Sequence, residues 1–165
     1  MANALNVVPG ENTVETGGKD VDAIADGLSD VLADTYRLIF KTHAYHWNVE
    51  GPLFFSVHNL TEEQYEDMFD AADDLAERIR ALGRVAPFKF NAMSENSVVK
   101  DQDDLPTAGD MCLDLASNHE RIAHRLHALI ELSGDDNDPV TEDLFTERSA
   151  FHEKAAWMLK ALAKS

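Results

Sequence analysis

His46-Trp47-Asn48-Val49-Glu50-Gly51-Pro52, continued by Val57-His58, Glu62 and Asp73-Asp74-Leu75-Ala76-Glu77, is the stretch on which the reading of this chain turns. Histidine and carboxylate are ligand types that iron and similar divalent metals accept. Gly51-Pro52 interrupts a helix, so His46 precedes a turn and the other candidates follow it. In a helical hairpin His46 and His58 then stand level with each other.

On a single helix over Phe55–Leu82, Glu62, Asp73 and Glu77 fall at about 40°, 60° and 100° from His58. Val57, Leu60, Gln64, Met68, Ala71, Leu75, Ile79 and Leu82 form a second, mostly apolar stripe nearly opposite, the face a helix gives to its own core. The polar face is therefore expected to point out of the subunit. Glu62 and Asp73 are about 16 Å apart along the axis, whereas metal–ligand bonds are about 2 Å. His58/Glu62 and Asp73/Glu77 are thus expected to be halves of a site. They complete each other when two copies of the helix lie antiparallel across a two-fold axis. The crossing falls between Asp67 and Met68, and Phe69 lies beside it on the outward face, as an isologous interface requires.

The motifs His46–Phe54, Val57–Glu62 and Asp73–Gly83 resemble the Dps family of mini-ferritins, which store iron and protect DNA during starvation. The weaker likeness runs from Asp20 to Lys164. It implies ferroxidase ligands at His46, His58 and Glu62 of one subunit with Asp73 and Glu77 of its mate. The cofactor and substrate is iron, at a di-iron or mononuclear site, and the oxidant is hydrogen peroxide or dioxygen. The resemblance further implies a dodecameric homo-oligomeric shell, a place for Trp47 against the metal, and a pore-lining role for Asp143. Trp47 is otherwise read as core packing. His43, one turn before His46, is read as a surface histidine, with an accessory ligand as the alternative.

Outside this stretch the pattern is all-α. A first helix over Asp20–Val49 carries Val21, Ile24, Leu28, Val31, Leu32, Leu38 and Ile39 on one face, with Asp20 as N-cap. The second helix is closed by Gly83. A long connection, Arg84–Pro106, follows; the family places a short helix there, over Ser94–Val99 in this chain. The third long helix is expected over Thr107–Leu132, with Met111, Leu115, Ile122, Leu126, Leu129 and Ile130 inward. Ser133–Asp138 is read as a turn, and Asp138-Pro139 as a start for the fourth. Val140, Leu144, Phe151, Ala155, Met158, Leu159 and Leu162 are its apolar set. Four long helices with one long crossover make a ferritin-like four-helix bundle over residues 20–165. Residues 1–19 form an arm.

No Glu in the chain has His three positions later, so the Glu-x-x-His motif of the in-bundle di-iron site is missing. His119, His124 and His127 have no carboxylate pattern around them and are read as structural. Cys112, the single cysteine, is read as a small buried residue. Among Asp135, Asp136, Asp138, Glu142 and Asp143, capping and solubility are the ordinary roles.

The formal net charge is −17, from 31 acids against 14 bases. That favours cations and opposes nucleic acid and anionic membranes. The arm carries Glu11 and Glu15 against Lys19, not the basic tail through which Dps proteins hold DNA. DNA binding is therefore not expected, and a nucleoid-binding protein with secondary iron chemistry is the rival reading. With no leader-like start, no apolar run near the ~20 residues of a membrane span and no cysteine pair, a cytoplasmic protein is expected.

Overall fold

The computed structural model describes residues 14 and 16–164. Most of the arm, with Glu11 and Glu15, lies outside the described residues. Five helices follow one another: α1 (Val21–Asn48), α2 (Phe54–Ala81), α3 (Phe90–Glu95), α4 (Ala108–Asp136) and α5 (Pro139–Leu162). No strand occurs among the described residues.

The starts of three long helices are written in their caps. Asp20 accepts a hydrogen bond from the Ala23 N–H at 3.1 Å, Thr107 from that of Asp110 at 3.4 Å, and Asp138 from that of Thr141 at 3.1 Å, with Pro139 at the first position of α5. Gly51 (φ 87°) and Gly83 (φ 81°) supply the left-handed turns that end α1 and α2. Ile24, Leu28, Val31, Leu38, Val57, Met68, Leu75, Ile79, Leu115, Ile122, Leu126, Phe145 and Leu159 are wholly buried along the bundle axis. Cys112 is also buried.

Ion pairs fix the direction of the helices. Lys41 pairs with Asp114 and Asp34 with Arg125, so α4 runs antiparallel to α1. Asp67 pairs with Arg148 and Arg78 with Asp138, so α5 runs antiparallel to α2. α2 and α4 are therefore parallel, and the crossover between them travels the length of the bundle. It is tied to the helices through its backbone. Val98 N–H donates to Asp34 Oδ1 at 2.8 Å, Lys100 N–H to Asn118 Oδ1 at 3.0 Å, Arg125 Nη2 to the Asn96 carbonyl at 3.0 Å, and Lys41 Nζ to the Lys100 carbonyl. Burial would raise the Asp114 pKa. Hydrogen bonds from Lys41, Tyr45 and Gln102, with the Lys41 charge, outweigh it and hold the carboxyl below its usual range.

Three expectations need correction. The short helix is Phe90–Glu95, not Ser94–Val99, because Val98 is held against Asp34 and Val99 is buried in a non-helical segment. α4 runs through Ser133 and Gly134 to Asp136. Its end comes at Asn137, which adopts the left-handed conformation (φ 65°) and whose N–H returns to the Gly134 carbonyl. Asp136 is buried there because it accepts the Lys19 and Asp20 backbone N–H groups ahead of α1. In α5, Val140 is 59% exposed, and Phe145 fills the core instead. The inward side of α5 also carries Arg148, Ser149 and His152, which blurs its apolar period.

His119 of α4 meets His152 of α5 inside this core, Nδ1 to Nδ1 at 2.8 Å. Desolvation, then the Arg148 charge, pushes His119 down to about 3. Desolvation first, then His119 and Arg148, hold His152 well below the ordinary value. The unfolded chain therefore takes up these protons first. The neutral pair stabilises the fold fully above pH 6.5, and that contribution is lost as the pH falls from 6.5 toward 3. Melting curves should show a steeper fall in Tm between about pH 6.5 and 4.5 for the wild type than for His119→Asn/His152→Asn.

Candidate metal centre

The α1–α2 hairpin brings His46 and His58 together as the level argument requires. Their rings stack with centroids 3.7 Å apart and planes 18° from parallel. The backbone fixes both rings. His46 Nδ1 lies 2.8 Å from the His58 carbonyl, and His58 Nδ1 lies 3.0 Å from the His46 carbonyl. A carbonyl only accepts, so each Nδ1 carries the proton and donates it. Each Nε2 is left with a free lone pair, the tautomer a metal-binding imidazole uses. Thr61, wholly buried one turn beyond His58, places its hydroxyl oxygen 3.3 Å from His46 Nδ1 and donates to the Val57 carbonyl at 2.7 Å.

Glu62 follows on the same side of α2 and is half-buried, while Asp73 and Glu77 are exposed farther along the helix. Among the described residues no group of three His, Cys, Asp or Glu side chains comes close enough to hold a metal ion. One chain unites His46 with His58 but does not bring Asp73 and Glu77 to them.

The surroundings are aromatic. His43 stacks on Trp47 at 5.2 Å and packs against Tyr65 at 3.9 Å and Phe69 at 5.8 Å. Tyr65 also turns its ring edge-on to His46 at 5.3 Å, and Phe54 stacks on His58 at 5.0 Å. Burial, then the charge of His46, lowers the His43 pKa. Burial, then Glu62 and Glu66, raises that of Tyr65. Trp47 is not a core residue: 62% of it is exposed, because α1 turns it away from the bundle. Tyr36, Phe40, His43 and Trp47 follow one another at helical spacing, and Tyr36, Phe40 and Trp47, with Phe69 of α2, leave large apolar surfaces open.

A ferritin-like domain model matches residues 25–165. The "DNA protection during starvation protein" of Porphyromonas gingivalis is 32% identical over 150 residues, covering 90% of this chain and 94% of the relative. The crystal structure of Dps from Staphylococcus aureus superposes with a TM-score of 0.81 at 33% identity, covering 84% of this chain and 93% of that one. This chain belongs to the Dps family. Dps from Vibrio cholerae, described as a member of a broad superfamily of ferritin-like diiron-carboxylate proteins, gives a TM-score of 0.84 at 28% identity over 94% of this chain and 98% of its own.

Tyr65 and Thr61 were not among the residues singled out from the sequence. Tyr65, seven positions beyond His58, falls about 20° from it on the helix, so the same spacing could have found it, whereas Thr61, three positions beyond, falls at the angle of Ile79 in the core stripe and is legible only from its contacts. Asp143, expected from the resemblance to line a pore, is not seen at one in a single chain. Here it is exposed, in a cleft of about 430 Å³ that Asp74, Glu77, Arg78 and Glu147 also line. His124 and His127 are exposed, and His127 Nε2 lies 2.9 Å from Glu153 Oε1.

Thr61→Val keeps the shape of the side chain and removes its hydrogen bonds. We expect a loss of about 1 kcal/mol, which differential scanning calorimetry would read as a Tm roughly 2–4 °C lower.

Proposed function

We propose that this Dps-family protein is a ferroxidase and iron store that removes Fe(II) and peroxide together and so protects against oxidative stress. The observation that carries the proposal is the His46/His58 pair. Both imidazoles are locked by the backbone with their Nε2 lone pairs free. Fe(II) is the substrate. It binds to His46, His58 and Glu62 of one subunit and is completed by Asp73 of the partner subunit and Glu77 of the partner subunit. Imidazole and carboxylate ligands tolerate both Fe(II) and Fe(III), so oxidation proceeds in place. With hydrogen peroxide as oxidant, two Fe(II) ions give up one electron each. The O–O bond breaks, and protons from solvent convert both oxygens to water without releasing hydroxyl radical.

Two features of the chain support the shared site. The separation of Glu62 from Asp73 along α2 prevents one helix from surrounding one ion. The open surfaces of Tyr36, Phe40, Trp47 and Phe69 flank the half-site, as an interface between two copies requires. We assign these copies to the two-fold dimers of a dodecameric shell whose acidic residues nucleate the ferric mineral. The net charge of −17 draws cations to such a shell and repels DNA phosphate.

Phe69→Asp buries a charge at the proposed two-fold axis. Dimer and iron oxidation should be lost together, as read by analytical ultracentrifugation and ferric absorbance. Subunit mixing separates the shared site from one held by a single chain. Homo-oligomers of His58→Ala and of Asp73→Ala should each be nearly inactive. A mixed dimer gathers both lesions in one site and leaves the other whole, so about half the activity per mixed dimer should return. Confirmed mixing with no recovery would refute the shared site.

A further inference from the structure

Thr42, Gln64, His119 and His152 stand one on each long helix, and all four are nearly or wholly buried. Their levels follow from contacts already described. On α1 and α2 the pairing of His46 with His58 puts Thr42 opposite residue 62, half a turn from Gln64. On α2 and α5 the Asp67–Arg148 and Arg78–Asp138 pairs put Gln64 opposite His152. His152 touches His119 directly. The Lys41–Asp114 and Asp34–Arg125 pairs put His119 within about one turn of Thr42. The four side chains therefore lie within roughly one turn of a common level in the bundle, a loose polar layer among apolar core residues that include Leu38, Met68, Leu115 and Phe145.

This layer is not satisfied by protein. Among the described residues, Thr42 Oγ1, both amide atoms of Gln64, and His119 Nε2 are buried without a hydrogen-bond partner. Orphan atoms on three helices within about a turn of one another are a demand for a ligand that both donates and accepts. A metal ion does not meet it. The His119 and His152 rings point head-on, with centroids 5.0 Å and Nδ1 atoms 2.8 Å apart, so their lone pairs are aimed at each other along one line, which suits one shared proton and offers no ion a position on both. The layer has no carboxylate, and the neighbouring cation, Arg148, disfavours another positive charge. An anion is not favoured either, because Arg148 is already paired with Asp67 and lies 4.4 Å from the centre of the Phe151 ring. What remains is neutral and small.

We propose that Thr42, Gln64 and His119 form a binding site for buried water, a hydrated layer in the core of the bundle. Water bridges the amide of Gln64, the free nitrogen of His119 and the hydroxyl of Thr42, supplying donor or acceptor to each as the imidazole tautomer requires. A groove of about 190 Å³ between α2 and α5, lined by Leu60, Glu63, Asp67, Phe151 and Lys154 among others, lies against Gln64, so the bundle surface comes close to the layer at that residue. The site is separate from the iron ligands: Thr42 lies one helical turn before His46, and none of the layer's side chains hydrogen-bonds to His46 or His58 among the described residues.

The test is a crystal structure of the assembled wild-type protein at a resolution that shows water, with parallel crystals soaked in zinc, and melting curves of Gln64→Met and Thr42→Val. The expected result is electron density within hydrogen-bond distance of Gln64 and of His119 Nε2 or Thr42 Oγ1, with no anomalous zinc signal there and a lower Tm for Gln64→Met. Thr42→Val, nearly unchanged in shape, is the variant that folds if Gln64→Met does not, and its Tm should fall as well. Absence of density, with either variant melting higher than the wild type, would mean a dry layer of unsatisfied groups and would overturn the proposal. An anomalous zinc peak on His119 or His152 would overturn it in favour of a metal site.

Discussion

The structure turns on a mismatch of lengths. A helix separates Glu62 from Asp73 by about 16 Å, and a metal ion holds its ligands at about 2 Å. In the proposed site, a chain that carries both carboxylate groups on the outward side of α2 takes the missing half from a second copy. What one chain does fix by itself is the His46/His58 pair. The turn at Gly51 returns the chain so that His46 and His58 each donate to the other's backbone carbonyl. No ligand is needed to set their tautomers, and on the proposed function the two free nitrogens are the atoms offered to iron.

The remainder of the bundle holds that hairpin in place with polar interactions in unusual positions. Asp34, Lys41, Asp114, Asn118 and Arg125 fasten a crossover that otherwise has little regular structure, and Asp34 and Asn118 are wholly buried in doing so. Burying these charges is favourable only because each meets a partner: Lys41 reaches Asp114 at 2.6 Å, and Arg125 reaches Asp34 at 2.9 Å. Desolvation still raises the Asp34 pKa despite Ser97, Arg125 and Val98. At the bundle centre, where other ferritin-like proteins place Glu-x-x-His ligands, this chain has two neutral histidines and an amide.

The four long helices were legible because caps and periodicity agreed at Asp20, Thr107 and Asp138, and because Gly83 and Pro139 are strong punctuation. The level pairing of His46 with His58 was legible for a simpler reason: a hairpin has one symmetric register about its turn. What escaped depended on tertiary partners. Gly134 looked like a turn residue, yet α4 continues through it to the left-handed Asn137, with the buried Ser133 hydroxyl bonded back to Leu129. Val98 and Val99 have no local signal that separates a helix from a segment pinned to Asp34. Trp47 was taken for core by its size, but its exposure follows from its place beside Tyr36, Phe40 and His43 on the outer side of α1. His152 carried no motif at all, and only the packing of α5 against α4 reveals its partner.

Anomalous diffraction at the iron edge, from crystals loaded with Fe(II) under anaerobic conditions, tests the central claim most directly. The account predicts an iron peak at a two-fold axis, about 2 Å from His46, His58 or Glu62 of one chain and from Asp73 or Glu77 of its mate. Iron held wholly by the side chains of one chain, or found away from His46 and His58 altogether, would contradict it.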